Sequence, residues 1–392
     1  MSMILNEEQI QLKENAKRFN QEKSPVSELR RLRDEKNELG YDAKTWEEMV
    51  ELGWPSILIP EAQGGLGLSI RYLGPILEEC GRTLTASPLL STALVGVAAL
   101  TVAGNETQQQ ELLPQIATGK LLTALAIEEG ARHNPTKVDT TAKTQGDNFI
   151  LNGEKQFVID GHIANYLIVS ARTSGNSNDA LGISLFLVDA KQPGVKVQRT
   201  LMVDSRNSAI ITFSDAEVSK ANLLGTLDQG LDNLNLILDF ARVGLAAEML
   251  GSIHEVFDRT VEYLKEREQF GVPIGSFQAL KHRAALMFCE IELCKSVVAE
   301  GLSVLSAATE SSGIAQISTA ERNEIALISS ICQSQLCETI EEVSNEGVQL
   351  HGGIGMTDEH EIGFFLKRAR VVQQMFGDAT FHKDRYAKLN NY

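Results

Sequence analysis

Cysteine is scarce, with five in 392 residues. An odd count cannot form a complete disulfide framework. Cys289 and Cys294, like Cys332 and Cys337, stand five apart, which fits neither zinc-ligand spacing nor a Cys-x-x-Cys redox pair. They read as buried or idle thiols in a reducing, cytoplasmic compartment. A cationic excess is missing too: 36 Lys and Arg against 52 Asp and Glu leave a net charge of −16. That balance excludes a general nucleic-acid surface, which needs cations to meet phosphate. No G-x-G-x-x-G follows a strand pattern, which argues against a nicotinamide Rossmann site. The opening Met1 to Glu8 has no basic n-region or apolar h-region, so no secretory leader is expected. One run, Thr83 to Gly104, lacks charge and is long enough to span a bilayer. Pro88 breaks it, and Ser87, Ser91, Thr92 and Thr101 interrupt it without basic or aromatic anchors. It is expected to be a buried helix after a loop.

What remains is ordinary for a globular protein, with 43% hydrophobic and 22% charged residues. The length allows two or three domains. The hydrophobic period divides the chain. Residues 1–122 read as helical, beginning at an Asn6 cap, with further helices around Trp46 to Leu52, Tyr72 to Cys80 and Glu111 to Ala117. Residues 123–226 alternate. Asn152-Gly153 gives the strongest hairpin signal, a second turn is expected at Asp160-Gly161, and short strands follow at Tyr166–Ala171, Ile183–Val188, Val195–Gln198 and Ala209–Phe213. Residues 227–392 are helical again: a long apolar face from Leu234 to Leu264, then helices through Leu280–Leu305, Arg322–Glu346 and Phe364–Lys388. The fold class is therefore α+β multidomain, with an N-terminal helical domain, a small central β-barrel or sandwich and a C-terminal four-helix bundle. Past residue 366, Lys367, Arg368, Arg370, Lys383, Arg385 and Lys388 face only Asp378 and Asp384. This is either a solvated basic helix or a local attraction for an anionic ligand.

Two stretches carry more specific information. The first is Arg267-Glu268-Gln269-Phe270-Gly271-Val272-Pro273-Ile274, followed by Phe277-Gln278. The second is Val348-Gln349-Leu350-His351-Gly352-Gly353-Ile354-Gly355. A Gly-Gly-x-Gly alone is usually a turn. Together, in this order, the stretches resemble the flavin-binding signature of the acyl-CoA dehydrogenases. Leu52-Gly53-Trp54, Pro60 to Gly65, Leu113-Pro114, Leu151 to Lys155 and Leu187-Val188-Asp189 extend the resemblance over nearly the whole chain.

The resemblance implies a flavoprotein of lipid or fatty acid metabolism. It would oxidise an acyl-CoA thioester to its 2,3-enoyl product by α-proton abstraction and β-hydride transfer to FAD. Arg267, Phe270, Gln278, Gln349, Gly352 and Gly353 would serve the cofactor, several of them reaching the FAD of a neighbouring subunit. A guanidinium suits pyrophosphate, and glycines let backbone N–H groups approach an anion. The other reading of Arg267 is a cation at a helix C-terminus. His351 reads as a packed, hydrogen-bonded histidine. Ile127 and Glu128 are expected on the flavin side through their backbone, where the family shows Thr-Glu-Pro. Phe157 and Ile159 replace its Trp-Ile-Thr, and Ile159 cannot donate a hydroxyl hydrogen bond. Arg242, on the long helix, is expected near the active site and has no charged neighbour at i±4.

The family's glutamate base is missing. Without a gap its position is Phe376; with a one-residue insertion Asp378-Ala379-Thr380 overlays Glu-Gly-Thr. The alternative position on the long helix is Ala241. Asp378 is the remaining candidate base, its other reading being a cap or solvated residue. Three functions stay open: a dehydrogenase using Asp378, a base-lacking partner subunit of a heteromer, and monooxygenase or desulfinase chemistry on the same fold. An electron-transferring flavoprotein is the implied electron acceptor. A flavin shared between copies implies a homodimer or tetramer, with a heteromer as the alternative.

Overall fold

The computed structural model describes residues 5–312 and 316–392. Helix α1 (Glu7–Lys23) starts at a capping box, in which the Asn6 side chain accepts from Gln9 N–H while the Gln9 side chain accepts from Asn6 N–H. Helices α2 (Val26–Asp34), α3 (Ala43–Glu51) and α4 (Ile70–Thr83) follow. The charge-free run becomes a π-helical turn, Leu89–Gly96, leading into α5 (Val97–Ala103); every residue of the turn is buried. Among the described residues no helix is long and apolar enough to cross a membrane. A second capping box, Asn105 with Gln108, opens α6 (Glu106–Ala117).

The central strands are β1 (Thr123–Ala126), β2 (Thr141–Gln145), β3 (Asn148–Ile159), β4 (Tyr166–Arg172), β5 (Ile183–Asp189), β6 (Val195–Leu201), β7 (Asn207–Ser219) and β8 (Leu223–Leu224). They form one eight-stranded sheet in the order β6-β7-β3-β2-β4-β5-β8, with β1 parallel to β4. Alternation along β4 and β5 divides their side chains between two cores. Ile168, Leu185 and Leu187 join the helices, while Leu167, Val169, Phe186 and Val188 pack within the β region.

The hairpin expected at Asn152-Gly153 is not there. The β2–β3 turn is Gly146-Asp147, and β3 runs on through Asn152 and Gly153 as a bulge against β7. Asn152 spends its amide on β7, bonding both ways with Asp215 at 2.9 Å. Gly153 has φ +147° and sits so close to Thr140 that a Cβ would lie 2.6 Å from its Cα. Asparagine-glycine thus answers a bulge here rather than a turn.

The C-terminal third contains α7 (Gly230–Glu266), the ribbon β9 (Glu268–Gln269) and β10 (Val272–Pro273), then α8 (Gln278–Ser312), α9 (Thr319–His351), α10 (Ile362–Val372) and α11 (Ala379–Leu389). The helix expected across Phe364–Lys388 is broken: Phe376 and Gly377 take φ +58° and +109°, and Asp378 caps α11. Helices α4 and α7 cross almost backbone to backbone. A Cβ on Gly81 would lie 1.9 Å from Glu248 O, and one on Gly251 would lie 1.7 Å from Glu78 O. Buried Arg368 of α10 joins Glu248 of α7 (2.7 Å) to Asp204 of the β6–β7 loop (2.8 Å), tying the helices to the sheet. Arg385 is likewise consumed by Asp239, and Arg370, Lys383 and Lys388 by Glu341, Glu338 and Asp384. The basic C-terminal segment is therefore largely paired internally.

Candidate active site

The π-helical turn, the sheet and the end of α10 enclose a cavity of about 430 Å³. Leu90, Ser91 and Val95 form one wall. The stretch after β1 supplies Ile127, Glu128 and Gly130 to His133. Strand β3 supplies Phe157 and Ile159, the β6–β7 hairpin Thr200 to Val203, and the end of α10 Val371 and Gln374 to Phe376.

The stretch after β1 is held from beneath. Lys155 is fully buried, and its ammonium donates to Glu129 Oε1 (2.6 Å), Ser170 Oγ (3.1 Å) and Ile127 O (3.4 Å). Burial lowers the Lys155 pKa. Burial also acts to raise that of Glu129, but Lys155 and the N–H groups of Asp139 and Thr140 outweigh it, so its carboxyl sits below the usual range. From the side, Gln156 N–H donates to Glu128 O at 2.7 Å. A second irregularity of β3, between Lys155 and Val158, puts Phe157 at φ +50° on the cavity rim, 55% exposed. A left-handed aromatic is an unusual conformer.

Behind the cavity lies a chain of charged groups. Arg242 is completely buried; it donates to Asp239 Oδ1 (2.8 Å), Phe376 O (3.0 Å) and His133 Nε2 (3.1 Å). Burial pushes its pKa down to about 10. Asp239 also receives both terminal nitrogens of Arg385 (2.8 and 2.9 Å) and the Ser329 hydroxyl (2.6 Å). On the cavity side, His133 Nδ1 bonds Glu128 Oε1.

The expected site residues fall into two sets. Ile127, Glu128, Phe157 and Ile159 line the cavity together with Phe376. Arg267, Phe270, Gln278, Gln349, Gly352 and Gly353 do not; they form an exposed group around the β9–β10 ribbon and the end of α9. Phe270 and Gly271 make the ribbon's two-residue turn, and Phe270 is 90% exposed. Gly352 and Gly353 have no atom within 4 Å of a would-be Cβ. His351 is buried, bonded to Gly347 O and stacked on Tyr263, which brings the end of α9 against the last turns of α7.

One expectation needs correction. Asp378 does not line the cavity: its carboxylate caps α11, accepting from Phe381 N–H at 2.7 Å. Arg242 stands directly behind the cavity wall, bonded to the lining residues His133 and Phe376, and its helical partner is Asp239 at i−3 rather than i±4.

The chain matches three family profiles in succession: acyl-CoA dehydrogenase N-terminal domain over residues 6–120, middle domain over 124–216 and C-terminal domain over 228–388. It is 31% identical to the mitochondrial isovaleryl-CoA dehydrogenase of Bos taurus, covering 94% of this chain and 84% of that one. The chain belongs to the acyl-CoA dehydrogenase family. Among solved structures, an acyl-CoA dehydrogenase from Geobacillus kaustophilus aligns over the full length of both chains, with a TM-score of 0.88 and 27% identity. The fold is shared with a Bacillus anthracis acyl-CoA dehydrogenase complexed with FAD, with a TM-score of 0.90, 24% identity and coverage of 99% of this chain and 68% of that one. Membership makes this chain an FAD-dependent flavoprotein oxidoreductase of acyl-CoA thioesters.

The cavity suits the flat end of that cofactor. Its rim exposes apolar surface, with Leu201 64%, Val203 60% and Phe157 55% accessible, and Gly130 leaves open space above the backbone. Apolar faces of this kind fit an aromatic ring system. Sequence reasoning missed His133 and Asp239, and read Arg385 only as part of the basic C-terminal segment. Only Asp239 left a signal, as the acid three residues before Arg242 on a helix.

Proposed function

We propose that the cavity is where an acyl-CoA thioester is oxidised to its 2,3-enoyl product, beside a flavin ring seated against Ile127, Glu128, Phe157 and Ile159. FAD, when bound, supplies the hydride acceptor for the substrate's β-carbon. The protein's part is to orient the thioester, exclude water and take the α-proton. One observation supports this most: four of the residues expected at the flavin, drawn from two separate stretches of sequence, converge on one apolar-rimmed cavity. The exposed set led by Arg267 and Phe270 serves the same cofactor from a second copy, so the working unit is a homodimer or a larger assembly. Electrons then pass to an electron-transferring flavoprotein. The five thiols are unpaired, which suits the cytoplasm.

A second reading is a partner subunit in a heteromer, favoured by Phe376 and Ala241, the ungapped matches to the two base positions that the family resemblance implies. Anaerobic titration of the purified, yellow protein with a panel of acyl-CoA thioesters tests the first reading. Bleaching of the flavin band by at least one of them is expected. A flavin that stays oxidised alone, but bleaches once a glutamate-bearing relative is added, refutes the first reading and supports the second.

A further inference from the structure

Phe376, the ungapped counterpart of the family's glutamate, is apolar, yet the cavity is not without a carboxylate. Among the described residues lining it, Glu128 is the only acid. Nearby acids are committed elsewhere. Asp378 caps α11, Glu129 is held by Lys155 and two backbone N–H groups, and Asp160 lines a smaller neighbouring cavity, bonded to Ser91 at 2.7 Å.

The hydrogen-bond chain behind Glu128 fixes its state. A guanidinium has donors and no acceptor. At 3.1 Å from Arg242 Nη2, His133 Nε2 must therefore present its lone pair. The ring proton is then on Nδ1, and Nδ1–H donates to Glu128 Oε1. Burial, together with the charge of Arg242, lowers the His133 pKa and keeps the ring neutral. His133 is only 3% exposed at its side chain, and its ring packs edge-on against Phe381, so it has little freedom to turn. Glu128 is thus held by one oxygen. Its other oxygen, Oε2, makes no hydrogen bond among the described residues, and the side chain is 19% exposed, on the cavity side. A carboxylate oriented through one oxygen, with the other open to a substrate cavity, is arranged as a general base.

We infer that Glu128 takes the substrate's α-proton in this chain, oriented by His133 and, behind it, by Arg242. In the step, the Cα–H bond breaks and its proton passes to Glu128 Oε2. The released electron pair would become the Cα=Cβ bond, with FAD, when bound, supplying the acceptor for the β-hydrogen and its own pair. Glu128 is the catalytic residue; His133 and Arg242 are positioning residues.

This rests on the proposed oxidation of thioesters, so the test separates the two. The measurement is solvent deuterium entering the α-carbon of a 3-thia-acyl-CoA, a substrate analogue, followed anaerobically by mass spectrometry on flavin-loaded protein. Wild type is expected to exchange. Glu128→Gln should slow exchange by about 100-fold or more, the usual scale for loss of a general base, while still holding the flavin through gel filtration. Glu128→Asp should recover part of the rate. If Glu128→Gln exchanges at the wild-type rate, Glu128 is not the base, and the proposed oxidation stands. If wild type neither exchanges nor bleaches, both readings fall. Nitrogen-15 NMR of the flavin-free protein gives a readout independent of turnover. His133, assigned by its loss in His133→Gln, should show a neutral ring protonated at Nδ1; protonation at Nε2 overturns the orientation.

Discussion

Lowering the pH from 7 to 5 should destabilise this protein through histidines that fold in the neutral form. His382 is the deepest. Its side chain is fully buried, Nε2–H donates to Phe376 O at 3.1 Å, and Nδ1 meets no partner. Burial, followed by the charges of Arg242 and Arg385, pushes its pKa from 6.5 down to about 2. In the unfolded chain the imidazole titrates near 6.5. Below that value the unfolded state binds a proton that the folded state refuses. Stability is therefore full above pH 6.5 and falls with pH down to the folded value. Between pH 7 and pH 5 this one residue loses about 2 kcal/mol. His133, also lowered, acts in the same direction. Asp160 acts in the opposite direction. Burial raises it to about 6, so the folded state gains its proton first. That returns about 1 kcal/mol by pH 5. The assay is urea unfolding at pH 7 and pH 5, with FAD in constant excess, for wild type and His382→Gln. Glutamine retains an N–H for Phe376 O and does not titrate. The variant should lose about 2 kcal/mol less than wild type across the interval. Equal losses would refute the neutral, buried imidazole.

Three other predictions follow from single contacts. Asp378→Ala should cost about 1 kcal/mol in urea unfolding, while Asp378→Asn, which still caps, should stay within about 0.5 kcal/mol of wild type; the reverse order would mean that the carboxylate is not a cap. Lys155→Met leaves Glu129 buried without its cation and should cost about 3–5 kcal/mol. The same variant should retain less flavin after gel filtration, because Lys155 also anchors Ile127 O; undiminished retention would detach the anchor from the cofactor site. Gly251→Ala forces a methyl onto Glu78 O, so α4 and α7 must move apart, at a cost of about 1–3 kcal/mol in thermal or urea unfolding.

The layers were legible because hydrophobic period reports which face of an element is buried, and the Asn6 cap is a local signal; the capping box at Asn105 went unread. Local signals failed where a distant partner decides the backbone. Asn152-Gly153 carries turn chemistry, but β7 recruits its amide and makes it a bulge. Through 374–380 nothing in the helical period marks the break between α10 and α11. The left-handed turn at Phe376 is held by two donors on its carbonyl, Arg242 Nε and His382 Nε2, the first 134 residues away in sequence.

The same long reach hid the proton acceptor. Glu128 was legible only as a residue near the flavin, because its role depends on a histidine in the following loop and an arginine 109 residues beyond that. Yet the two departures from the family pattern are physically joined. One guanidinium holds the carbonyl of Phe376, the ungapped counterpart of the glutamate that the family resemblance implies, and the imidazole that steers Glu128. Placing a glutamate at position 376 would put a second carboxylate on the wall of the same cavity. Mutual repulsion would then raise the pKa of at least one of them. Phe376→Glu in the wild-type background should therefore help less than Phe376→Glu in Glu128→Gln, where the exchange rate recovers most. A benefit of equal size in both backgrounds would show that the two positions do not share one proton site.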